Sequence, residues 1–446
     1  MAGSENLTAE IENYALYLPA MPSDYIRYVV DSSSESPACS VRPVDLNFLS
    51  GGSTLWTYKW CLASAGHLAY SNGGNAITRR DPATSWLMGD SGGFQVASGT
   101  LRDTRRWKAY ARDPRRIAQL WGRSGIAGHL LRWLDKHCDY ATTLDMPLWV
   151  KSDRYRSCLF HYCSLGLLTD LNVENLRFIE RHRGAVGNCK FVNVIQGRDE
   201  AEEDYWYERV RDFEFEGWAL GGSVNWSGGL HRVLRRLLIM RDQGMLGGRR
   251  QWLHILGNSV LSWGIALTAI QRAVQATTGG PFTASFDSST PFLWAGEYQT
   301  HPIPPKLTCD VSTWTFSSAP FPVGYAAATV HRRRPIPPGS PLSSRLKLGD
   351  LNTKTSPYAA QTLGPFGRAA LGNHNLYVFL RAFINANRLV FGEGIMPQEI
   401  ADMVGIVGDL FTTERWMDLL STRASRLKVR TRRPATVIPR SNGSRR

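Results

Sequence analysis

Asp90 and Asp287 each end a short apolar run, "WLMGD" and "TASFD", and each is followed by small residues, Ser-Gly-Gly and Ser-Ser-Thr. Two carboxylates delivered to strand tips can share acid/base work, or one can act as nucleophile while the other handles protons. The competing reading is structural, because an Asp ahead of Ser often caps the next helix. Gly92 and Gly93 suit a backbone that a ligand approaches closely. Four further runs stop in the same way: "YATTLD" at Asp145, "KFVNVIQG" at Gln196, "WALGGS" at Gly221 and "WLHILGN" at Gly257. Six polar tips that converge on one cavity favour chemistry over capping.

The elements that would carry such tips follow from their spacing. Gln196, Gly221, Gly257 and Asp287 are separated by 25, 36 and 30 residues, about the length of one strand–helix unit, and the earlier intervals leave room for insertions. Between the tips, "LHRVLRRLLIMRDQG" and "SWGIALTAIQRAVQATTGG" repeat apolar residues every three or four positions and stop at glycine, which predicts helices. Strands alternating with helices imply a parallel sheet. Polar residues at many strand ends predict an α/β fold of the (β/α)8 TIM-type barrel class, with insertions and a C-terminal helical extension. An open doubly wound sheet is the alternative, but it would gather ligands at one switch point.

The expected organisation runs in five segments. Residues 1–85 form the N-terminal part of the barrel and a lead-in, and 86–300 the catalytic barrel core. Residues 301–372, rich in Pro and Ser, form an excursion or small subdomain. Residues 373–426 are C-terminal helices, and 427–446 a basic tail expected to be disordered.

The chain carries 52 Lys and Arg against 38 Asp and Glu, a formal net charge of +14. That surplus suits a polyanionic partner, although a solubilising surface would also explain it. The basic residues bunch in 100–116, 235–250, 331–335 and 423–446. Trp107 and Tyr110 interleave with the first cluster, as stacking residues do in nucleic-acid grooves. No stretch reaches the roughly 20 apolar residues of a membrane span, and the acidic N-terminus lacks a signal-peptide pattern. Seven cysteines without a C-x-x-C pair fit reduced thiols. A cytoplasmic location is expected.

The runs "DSGGFQV" (90–96), "DMP" (145–147), "VIQG" (194–197), "GWALGGS" (217–223), "HILG" (254–257), "SFDSSTP" (285–291) and "HN" (374–375) occur in that order. In this order they resemble the tRNA-guanine transglycosylase superfamily over roughly 86–380, a family of (β/α)8 barrels that exchange guanine in a nucleic acid for a 7-deazaguanine. The resemblance implies that Asp287 attacks the sugar C1′ to give a covalent glycosyl–enzyme, and that Asp90 handles the protons of the leaving and incoming bases. It places Asp145 on the N1–H and 2-amino edge of guanine. Gln196 and the backbone around Gly221, Gly222 and Ser223 would donate to O6, and Phe94 and Leu256 would sandwich the purine beside Gly257. Apolar residues at strand ends also simply pack, which leaves a core role open for Phe94 and Leu256, and a turn role for Gln196.

Two features depart from the tRNA enzymes. Their zinc-binding C-x-C-x-x-C run is missing, so no metal and no other cofactor is expected, with His374 a structural remnant. A site from Cys309, His301, His331 and His374 is the alternative. The basic residues that follow the nucleophile in the tRNA enzymes are replaced by "DSSTPFLWAGEYQ". Loss of RNA-reading parts beside a basic surplus resembles the DNA-acting branch of phages and bacterial modification clusters. The expectation is therefore a DNA-guanine transglycosylase acting on duplex DNA with the target guanine flipped out. Its expected co-substrate is a free 7-deazaguanine base in the 7-cyano form. Phosphates would be held by Arg102, Arg105, Arg106, Lys108, Arg115 and Arg116, with Arg332 and Arg333 contributing. A divergent tRNA enzyme and a non-catalytic nucleic-acid-binding subunit are the alternatives, and the sequence leaves open a homodimer or an accessory protein.

Overall fold

Eight short runs of β-branched, aromatic and small residues pair side by side in a computed structural model that describes residues 4–31, 40–71, 73–222, 229–354, 356–358, 361–392 and 394–427. They are β1 (Leu16–Pro19), β2 (Trp60–Ser64), β3 (Trp86–Asp90), β4 (Tyr140–Thr142), β5 (Lys190–Gln196), β6 (Gly217–Gly221), β7 (Trp252–Ile255) and β8 (Thr283–Ser288). Every pairing is parallel, β2 to β8 pair in sequence order, and β8 pairs with β1. β1 and β2 then meet at a single parallel bridge, Ala20 with Leu62, reinforced by Met21 N–H donating to Leu62 O at 3.0 Å. The sheet is a TIM-type barrel. Strands covered on both faces must be apolar on both, as the fully buried "GWALG" of β6 shows.

Helices follow the strands on the outside: α1 (Gly93–Ala97), α2 (Pro114–Arg123) and α3 (Ile126–His137) after β3, α4 (Leu165–His182) after β4, α5 (Glu200–Val210) after β5, α6 (Gly229–Asp242) after β6, α7 (Leu261–Thr278) after β7 and α8 (Thr290–Gly296) after β8. Three of them begin at a side-chain cap, Asp113, Ser164 and Asp199, each accepting a backbone N–H of the first turn. The strand–helix units after β1 and β2 are reduced to short helical pieces.

The N-terminal end of the barrel is closed by aromatic rings. Trp60, Trp86, Tyr140 and Trp252 are the first residues of β2, β3, β4 and β7. Trp86 stacks on Trp252 across the barrel with centroids 4.6 Å apart, Tyr140 lies 4.7 Å from Trp252, and Trp60 packs edge-on to Trp86 at 5.0 Å. The interior is a filled core with a floor.

Beyond the barrel, β9 (Thr300–Ile303) and β10 (Ser317–Pro320) form an antiparallel pair within the Pro/Ser-rich stretch. Then come α9 (Pro365–Phe391), α10 (Gln398–Thr412) and α11 (Trp416–Arg423). α9 starts at Pro365, ahead of the boundary at 373 that the sequence suggested. Gly-Pro reads as loop punctuation, yet proline is at home in the first turn of a helix. α9 is buried on nearly all sides, packed on α7 and α8, and its amides tie distant loops together. Asn373 Nδ2 donates to Leu46 O (2.9 Å), and Asn375 Nδ2 donates to Pro291 O and Thr300 O (both 3.0 Å). The tail from residue 428 lies outside the described residues. Among those described, no helix is long and apolar enough to cross a membrane.

Candidate active site at the C-terminal mouth of the barrel

The strand ends opposite the aromatic floor bring the polar tips together. Asp90 is the last residue of β3 and pairs in register with Ser64 at the end of β2. The next turn needs Gly92: its φ is +88°, and a Cβ there would stand 2.7 Å from the Gly66 backbone. Burial raises the Asp90 carboxyl above its usual range, and the Asp287 charge adds to this. Hydrogen bonds from Ser64 and the Gly92 N–H, and the nearby His67, oppose it. His67 is held in turn by Gln95, whose amide nitrogen lies 2.9 Å from Nε2.

Asp287, one residue before the end of β8, is buried. Its Oδ1 accepts the Gly257 N–H at 2.9 Å, and among the described residues no donor reaches Oδ2. Gly222 and Gly257 turn the chain off β6 and β7 with φ of +84° and +69°. Asp145 lies on the loop after β4, the strand next to that of Asp90. Gln196, at the tip of β5, donates from Nε2 to Asp145 Oδ2 at 2.6 Å, so that one of its two amide hydrogens is already engaged. Burial pushes the Asp145 carboxyl up to about 7, against the Gln196 hydrogen bond and with the Asp90 charge adding to the rise. Gly221 packs over Gln196 and Leu256: a Cβ on it would come within 2.6 Å of the Gln196 amide and 3.3 Å of Leu256 Cδ1. Gly93 likewise lies against Asp145.

Phe94 is 56% exposed, which removes the plain core reading of that ring. Its centroid is 5.1 Å from Trp149, which packs edge-on to Tyr155 at 4.6 Å, with the Arg154 guanidinium over Tyr155. Leu256 is half-buried. Ser223 lies outside the described residues, as does Asn225.

The residues expected to meet phosphates divide into two kinds. Residues 102–110 form a 3-10 ridge that begins shortly after α1 and folds back on it, the Lys108 stem lying against Gly99. Arg102, Arg105, Arg106 and Lys108 are exposed on it, as are Arg115 and Arg116 at the start of α2 and Arg332 and Arg333 on the excursion. No ion pair among the described residues engages any of these eight. Trp107 is a correction to the stacking role read for it: it is buried at 8% exposure, because the three-residue repeat of the ridge turns Leu101, Thr104 and Trp107 inward together. Tyr110 stays exposed, with Arg116 over its ring. The basic cluster at 235–250 is engaged within the fold. Arg235 and Arg236 pair with Asp204, Arg236 also with Glu203, and Arg249 with Glu214 and Glu216, while Arg241 caps the carbonyls ending α10. Those charges serve the fold.

His374 is fully buried, its Nδ1 2.7 Å from Ser340 Oγ, and burial lowers it to about 4. Cys309 is exposed on the excursion, and among the described residues no group of three or more His, Cys, Asp or Glu could hold a metal. The residues present do not make a four-ligand zinc site of the tRNA-enzyme kind.

Sequence reasoning missed Ser64, His67, Gln95, Trp149 and His254. Ser64 ends an apolar run, "WCLAS", by the same device as the other tips, and His254 interrupts the apolar "WLHI" at an alternate position. No model of a known protein family and no curated protein matches the chain.

Proposed function

We propose that the protein is a DNA-guanine transglycosylase, a pentosyltransferase that exchanges guanine in DNA for a 7-deazaguanine through a covalent Asp287–glycosyl intermediate. The observation that carries the reading is the gathering of three carboxylates at one barrel mouth in three different environments. Asp287 has one oxygen held by a backbone N–H and the other open. Asp90 is raised above the usual carboxylate range by burial, and Asp145 is fixed by the Gln196 amide.

In the first displacement, Asp287 Oδ2 bonds to C1′ as the C1′–N9 bond breaks. The bonding pair leaves with guanine, and Asp90 gives the departing base its proton. In the second, N9 of the incoming base attacks C1′, the bond to Asp287 breaks, and the N9 proton passes to Asp90. Two in-line displacements retain configuration at C1′. Asp145, once ionised, accepts from the N1–H and 2-amino group of guanine, a pair that adenine lacks. The order of the short motifs, the exposed Phe94 ring packed on half-buried Trp149 at the rim and the unpaired basic ridge beside α1 support a nucleic-acid substrate whose base is flipped into the mouth.

The test is guanine release from guanine-labelled duplex DNA, and separately from tRNA, each with 7-cyano-7-deazaguanine. The expected result is release from DNA alone, with a covalent protein–DNA adduct absent in Asp287→Asn and formed far more slowly in Asp90→Asn. Release from tRNA alone would assign the chain to a divergent tRNA enzyme. Release from neither would overturn the reading in favour of a binding subunit.

A further inference from the structure

His254 sits inside the barrel on β7 with no exposure to solvent. Its register partner on β8 is Ser285, two residues before Asp287. The His254 Nδ1 lies 2.9 Å from Ser285 Oγ. Its Nε2 lies 3.2 Å from Asp287 Oδ1, too oblique as placed to count as a hydrogen bond, and it has no hydrogen-bond partner among the described residues.

The hydrogen count selects one tautomer. The Trp252 indole can only donate, and it gives its Nε1–H to Ser285 Oγ at 2.7 Å. The Ser285 hydroxyl proton then has two acceptors in reach, Leu253 O at 3.4 Å and His254 Nδ1 at 2.9 Å. The shorter contact makes Nδ1 the acceptor, which leaves the single proton of a neutral imidazole on Nε2, facing Asp287. The other tautomer would set an Nε2 lone pair against a carboxylate oxygen in a water-free interior, an arrangement that low dielectric penalises heavily.

We infer that His254 is a positioning residue for Asp287, donating from Nε2 to Oδ1 beside the Gly257 N–H. Two donors on Oδ1 fix the carboxylate plane and leave Oδ2 as the reactive oxygen. They also stabilise the carboxylate as it is released from C1′ in the second displacement. His254 gains and loses no proton in either step. The hydrogen bond is inferred from the 3.2 Å approach, the unpartnered Nε2 and the tautomer that Ser285 selects, whereas its part in catalysis rests on the proposed function.

The test has two arms, both on the full chain. In the first, 15N-histidine NMR, with His254 assigned by its loss in His254→Gln, reads the tautomer. Expected are an unprotonated Nδ1 and a protonated Nε2 whose proton resonance lies downfield and moves upfield in Asp287→Asn. A proton on Nδ1, or no response to Asp287→Asn, would overturn the inference whatever reaction the protein catalyses. In the second, adduct formation with guanine-labelled DNA compares His254→Gln, which keeps a donor near Nε2, with His254→Leu, which has none. The leucine variant should lose about 100-fold in rate, the usual cost of one such donor, and glutamine should recover most of it, at similar Km and melting temperature. Equal loss in both folded variants would overturn the positioning role. Absence of adduct in the unaltered protein would fail the proposed function and leave the NMR arm to decide the hydrogen bond.

Discussion

Asp145 shows how one side chain can report on the chemistry around it. A carboxyl raised to about 7 keeps its proton in the folded protein at pH values where the unfolded chain has lost it. Its contribution to stability is therefore greatest below about pH 4 and is lost as pH rises toward 7. Asp145→Asn should melt increasingly above the unaltered protein between pH 5 and 8, as thermal denaturation across that range would show. Recognition runs the other way. In the proposed reaction only the carboxylate accepts from the guanine edge, so affinity for the free base should rise about tenfold per pH unit up to about 7 and then level off. Each binding event below that pH should expel a proton, seen by calorimetry in buffers of different ionisation heat, and Asp145→Asn should bind weakly at every pH. The positions of Asp90, Asp145, Gln196 and Asp287 at a shared mouth were legible because each interrupts an apolar run. The Gln196–Asp145 hydrogen bond was not, because residues 51 apart meet only through the parallel pairing of their strands.

At the scale of the element, the α1 turn and the loop after β4 build one wall of the mouth, Phe94 from the first and Trp149 from the second. A base stacked on this wall should be worth about 1–3 kcal/mol. Phe94→Ala and Trp149→Ala should thus each weaken binding of single-stranded or mismatched DNA by roughly 5- to 150-fold, with melting temperature nearly unchanged, as fluorescence anisotropy and a thermal melt together would show. Unaltered binding in both would remove the wall from recognition. Six of the eight barrel strands could be read from their tips. β1 and β2 could not, since "LYLP" and "WCLAS" are followed by short helical pieces too brief to show a helical repeat. Trp107 was misread because an aromatic among arginines looks like a stacking residue until the ridge is seen to turn Leu101, Thr104 and Trp107 inward together.

The whole molecule distributes its charge unevenly, and the net figure of +14 conceals this. Arg236 is buried with carboxylates on two sides, whereas Arg105 and Arg106 stand in solvent on the ridge. Replacing Arg105 and Arg106 by Ala should lower the slope of log affinity against log salt by about 2, since each phosphate contact releases roughly 0.9 of a counterion. Arg236→Ala should leave the slope unchanged and cost about 1–3 kcal/mol of stability by removing one of the two guanidiniums that hold the buried Glu203 carboxylate, the other being Arg232. Salt titration and denaturant unfolding of the same two variants would separate the roles. Sequence counts alone could not, because they do not show which arginines have acidic neighbours across the fold.

The stacked rings of Trp60, Trp86, Tyr140 and Trp252 have a bearing on traffic as well as packing. A barrel shut at one end is a cul-de-sac. In the exchange we propose, the base that leaves must go out by the route along which the next one comes in, and the two cannot pass. Exchange then becomes a queue in which the sugar waits on the protein with the pocket vacant, and free guanine competes with its replacement for the same doorway.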